Sequence, residues 1–137
     1  MIMLKTKSIS NIIRKNLMEH LNKMDKVDEI ASKIFSLNYH NILNSEDEFC
    51  IGIYEKNGDL HVSNPIIGTD VEVEIPEVDG IMLALVHTHF DGLELSSWDE
   101  EIGEDFAIKN QQPFRIYVIG FNEEDELVMT FEEFDFE

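Results

Sequence analysis

The chain has 137 residues, enough for one domain built around a single core. Its formal net charge is −19, from 29 acidic and 10 basic side chains, so it repels nucleic-acid phosphates rather than binding them. The single cysteine, Cys50, excludes an internal disulfide, and no apolar run approaches the length of a membrane span.

The charge is uneven. Residues 1–45 hold seven Lys/Arg against four Asp/Glu, a balance of +3, whereas residues 46–137 hold three against 25, a balance of −22. A body this acidic favours basic protein or peptide surfaces as partners. The opening residues lack the continuous apolar region of a signal peptide. With one cysteine, that makes a cytoplasmic location the expectation.

Residues 9–24 place Ile9, Ile12, Ile13, Leu17, Leu21 and Met24 at helical spacing, with Arg14, Lys15, Glu19 and Lys23 opposite. Ser8 can cap its start. A second helix is expected over 27–38, with Val27, Ile30, Ile34 and Leu37 on one side. Residues 1–26 therefore read as an N-terminal helical extension and residues 27–137 as the domain proper.

Strands follow. Residues 49–54 are apolar and lead into Asn57-Gly58, a strong hairpin-turn signal. Residues 60–63 return antiparallel, and Pro65 ends that strand. Residues 71–75 alternate cleanly and predict a half-exposed strand, closed by Pro76. The run from Ile81 to His87 predicts a buried central strand. A helix is expected over 98–110, with Ile102, Phe106 and Ala107 inward, Gly103 weakening it and Pro113 stopping it. Residues 114–120 and 127–131 form a last hairpin. This order predicts an α/β domain with a mixed, largely antiparallel sheet flanked by helices.

The chemistry concentrates at the end of the central strand. Residues two apart in a strand share a face, so His87 and His89 present both imidazoles to one side. Asp99 follows at the expected start of the second helix, where a short loop can bring its carboxylate back. Two imidazoles and a carboxylate suit zinc, and a catalytic zinc uses three protein ligands plus one water.

This stretch resembles the JAMM, or MPN⁺, metallopeptidase motif: His-x-His, seven residues, Ser, two residues, Asp, with a glutamate upstream. His87-Thr88-His89 and Ser96-Ser97-Trp98-Asp99 match its two halves. Six residues rather than seven separate His89 from Ser96, and Phe90 stands where a proline often follows the second histidine. Strict spacing selects Ser97 and Glu100 instead; the preferred frame is Ser96 and Asp99. The resemblance implies a single-domain MPN-like fold, related to that of cytidine deaminases, over about residues 27–137. It implies a zinc metalloprotease acting on peptide or isopeptide bonds, with His87, His89 and Asp99 as metal ligands. It also implies Glu48 as general base, with Glu46 as the substitute, and Ser96 as donor to the oxyanion.

Duller roles stand beside these. Ser96 or Ser97 can cap the helix, and Ser97 with Glu100 spells a capping box. Asp99 can serve the helix dipole alone. Cys50, on an apolar strand, reads as buried and inert. His87-x-His89-x-Asp91 also resembles the opening of metallo-β-lactamase-fold hydrolases, but Gly92 stands where that pattern needs a histidine. The stronger rival is a non-catalytic acidic MPN-like binding module, an inhibitor or immunity protein docking on a basic partner.

Overall fold

The computed structural model describes residues 2–68, 74–90 and 92–136, with side chains from residue 9 onward. Its first element is one helix, α1 (Ile2–Leu43). The two helices expected from the sequence are continuous. Asp25 and Lys26 carry no helix breaker, so nothing interrupts the backbone ladder between them. Ser8 lies within the helix and does not cap its start.

Only the second half of α1 meets the sheet. Met24, Val27, Ala31, Ile34 and Ile42 are buried, at i+3 and i+4 steps or their multiples. Leu37, expected on this face, is 82% exposed.

Among the described residues, six strands form one mixed sheet: β1 (Glu48–Lys56), β2 (Asp59–Val62), β3 (Ile66–Gly68), β4 (Ile81–Thr88), β5 (Phe114–Phe121) and β6 (Leu127–Phe134). The order is β2-β1-β4-β5-β6, with β3 also on β1. β4 and β5 are parallel, and every other pairing is antiparallel. A parallel neighbour demands a crossover, and α2 (Ser97–Asn110) supplies it.

The β1–β2 turn places Asn57 at φ 54° and Gly58 at φ 84°, as a two-residue hairpin requires. After β2 the chain breaks at Ser63-Asn64-Pro65 and resumes pairing with β1 as β3, a short strand not anticipated from sequence. The Ser63 hydroxyl accepts from the Gly52 N–H at 2.8 Å, bridging the break. The strand expected over 71–75 falls partly outside the described residues, and Glu74 and Ile75 form no strand.

Alternation along the strands divides the core in two. Ile51, Ile53, Val86, Tyr117 and Ile119 face α1. Cys50, Leu85, Ile116, Val118 and Phe134 face α2 with Ala107. The layers are therefore helix, sheet, helix. Gly103 does more than weaken α2: a Cβ there would lie 2.5 Å from the Phe134 ring, so its absence lets the helix sit close on β6.

Candidate metal centre

The site forms where β4 ends and α2 begins. His87 is the second-last residue of β4 and points to the α2 side, being 4% exposed. His89 follows the strand end, and its backbone N–H donates to the Ile119 carbonyl at 2.8 Å, extending the ladder with β5. The two imidazole centroids lie 4.4 Å apart, nearly perpendicular.

Asp99 arrives from the other side on the first turn of α2. Ser96 is the N-cap: its Oγ accepts from the Asp99 N–H at 3.1 Å, and Asp99 Oδ2 accepts from the Ser96 N–H at 3.0 Å. This reciprocal pair is the capping box. It fixes the helix frame at Ser96 and Asp99, not at Ser97 and Glu100, where a capping box was anticipated. The same Oδ2 lies 3.4 Å from His89 Nε2.

One ligand atom each from His87, His89 and Asp99 lies within 4.8 Å of the other two, so the three can hold one metal ion. Two further observations fit a cation. Among the described residues, His87 Nε2 is buried with no hydrogen-bond partner, an arrangement that costs free energy unless something binds it. The backbone of Glu94 also lies close enough to the His89 ring to help raise its pKa. A metal-bound histidine usually gives its second N–H to a backbone carbonyl, carboxylate or water.

The electrostatics follow from burial and neighbours. Burial, reinforced by the nearby His89, pushes the His87 imidazole down to about 4, leaving it neutral and ready to ligate. The hydrogen bond to Asp99 raises His89. Burial would raise the Asp99 carboxyl, but the bond from His89, the charge of His87 and the bonds from Ser96 bring it down to about 2. Burial, with Asp99 nearby, lifts the Cys50 thiol to about 12, so it is protonated and inert at neutral pH.

Glu48 opens β1 on the strand next to His87 and is half-buried. Its Oε1 lies 3.5 Å from the Phe90 N–H, and its charge helps raise His89. Glu46 is exposed in the preceding turn. Ser96 is exposed, and its capping bond uses the oxygen as acceptor, leaving the hydroxyl proton free to donate. Asp91 lies outside the described residues.

Two supporting residues carried no sequence signal. Thr88, between the histidines, turns to the other face and accepts from the Phe49 N–H at 2.9 Å, tying the start of β1 to β4. Gly120 lets the site loop close on β5. A Cβ there would lie 2.7 Å from the His89 carbonyl and 2.9 Å from that of Gly92. Among the described residues, no helix is long and apolar enough to cross a membrane. Comparison of the chain with protein-family models, curated proteins and solved structures finds no match.

Proposed function

We propose that this chain is a zinc-dependent metallopeptidase of the JAMM type, hydrolysing a peptide or isopeptide bond. Residues 27–137 would form an MPN-like domain and residues 1–26 an extension to it. The observation that carries this reading is the buried Nε2 of His87, without a partner among the described residues, beside His89 and Asp99. Two imidazoles and one carboxylate are the donor set of open, catalytic zinc sites. Zinc held there supplies an acidified water and polarises the scissile carbonyl.

The remaining chemistry falls to the chain's own side chains. Glu48 takes a proton from the attacking water and delivers it to the leaving amine nitrogen. Its place at the start of β1, beside Phe90 and close enough to bias His89, supports that role. Ser96 donates its hydroxyl proton to the developing oxyanion, a contribution of about 3 kcal/mol in comparable sites. The cap holds that oxygen in place. The balance of −22 over residues 46–137 favours a basic protein or peptide, not a nucleic acid, as substrate, and the single cysteine favours a cytoplasmic setting.

The test is zinc content after purification without chelator. About one zinc per chain is expected, lost in His87→Ala and His89→Ala. Glu48→Gln is expected to keep the metal and lose hydrolysis of lysine-linked conjugates. The acidity equally favours a non-catalytic module docking on a basic partner. Protein without zinc that binds a basic protein tightly would select that reading.

A further inference from the structure

Residues 9–22 of α1 extend past the sheet as a largely bare helix, ending where Lys23 pairs with Glu55 of β1 at 3.0 Å. Ile9, Ile12, Ile13, Leu17, Met18 and Leu21 are each about half exposed or more, up to 62% at Ile13. Ile9, Ile13 and Leu17 continue the stripe that Met24, Val27 and Ala31 bury against the sheet. A segment rich in Ile and Asn, with nothing packed on its stripe, holds no stable helix in water. Among the described residues none covers this stripe.

The matching surface lies beside the other half of the same helix. A groove of about 280 Å³ runs between α1 and the β1–β3 edge, floored by Ile42, Phe49, Ile51 and Ile67. Ile67 is 61% exposed, and Leu37, one turn before the groove residue Asn41, is bare as well. Asp47 lines the groove, and the exposed Glu46 precedes it. The arm is the opposite: residues 1–22 hold Lys5, Lys7, Arg14 and Lys15 against Glu19. Arg14, expected opposite the stripe, lies three and seven residues before Leu17 and Leu21 and so flanks their edge of the helix.

We infer that the chain forms a reciprocal homodimer in which residues 9–21 of each copy lie in the groove of the other, with the two α1 helices antiparallel. One contact then buries two arms and two grooves, as a two-fold interface requires. Six such side chains remove about 500 Å² per arm, so arms and grooves together bury about 2,000 Å², the size of a stable interface. Arm pairing with arm sets basic flanks against each other, whereas arm on groove sets basic against acidic.

The test is sedimentation equilibrium of the full chain at low salt. The expected mass is twice 15.9 kDa. Leu17→Asp on the arm and Ile67→Arg in the groove should each shift the chain to monomer. Both positions are exposed, so both variants keep the sheet. Arg14→Glu and Asp47→Lys should each weaken association at least tenfold, and combining them should recover most of that loss. A wild type that stays monomeric at high micromolar concentration overturns the inference, and so does a monomer captured by anionic vesicles. A dimer broken by Leu17→Asp but indifferent to Ile67→Arg and Asp47→Lys means that the arms pair with each other, and refutes groove docking.

Discussion

Thr88→Val isolates the bond that ties the strand of Glu48, the proposed general base, to the strand of His87. Thr88 is 1% exposed, and its hydroxyl is the acceptor for the Phe49 N–H at 2.9 Å. Valine has nearly the same volume, so the change opens no cavity and removes only the acceptor. A buried N–H left without a partner costs about 1–3 kcal/mol. Burying a methyl in place of the hydroxyl returns up to about 0.8 kcal/mol. The net expectation is a loss of about 0.2–2 kcal/mol, or up to roughly 7 °C in Tm for a chain of this size. Urea unfolding of the chelator-treated protein reads the stability directly. The three metal donors lie on the other side of β4 and are untouched, so zinc content should hold. Glu48, one residue before Phe49, loses its anchor, and hydrolysis should fall about tenfold. Stability in Thr88→Val equal to or above that of the wild type would refute the claim that this bond holds β1 in place.

Metal-free protein should weaken in mild acid through His87. Its pKa near 4 is depressed by burial and by His89, so its contribution is complete above pH 6.5 and is lost as pH falls towards 4. Linkage gives a loss of about 2 kcal/mol by pH 5, and the difference between wild-type and His87→Gln unfolding at pH 7.5 and 5 isolates it. Asp99 acts in the same direction at lower pH, lost only as pH approaches 2, while the raised His89 acts oppositely. An unchanged difference would mean that His87 is not desolvated. Gly120→Ala should cut zinc affinity at least tenfold with a smaller effect on unfolding, because the added methyl strikes the backbone of the His89–Gly92 loop. Equal zinc affinity by competition titration would show that the loop absorbs the clash.

Where the sequence was legible, one residue type dominated a short window. The apolar run from Ile81 foretold β4, and Asn57-Gly58 foretold the first hairpin, because each draws on local physics alone. The histidine pair was legible for the same reason: a two-residue step on a strand has one geometric meaning. The division of α1 into two helices failed because its apolar stripe changes partner near Met24, from solvent to sheet, while the backbone continues. β3 was missed because three residues behind a proline gain their strand character only from β1. The Ser96 and Ser97 frames differ by one residue at a helix start, and only tertiary position decides between them. Thr88 and Gly120 act through partners 39 residues away and on a neighbouring strand, which no local pattern encodes.

The three donors all belong to a single strand–loop–helix connector, from His87 to Asp99. A cation there clasps a short loop, and closing a short loop forfeits little chain entropy. Ion capture can therefore precede docking of the rest of the sheet, as a latch that shuts before the door frame is finished. Binding competence would then belong to the connector alone, while reactivity waits for the first strand to deliver its carboxylate.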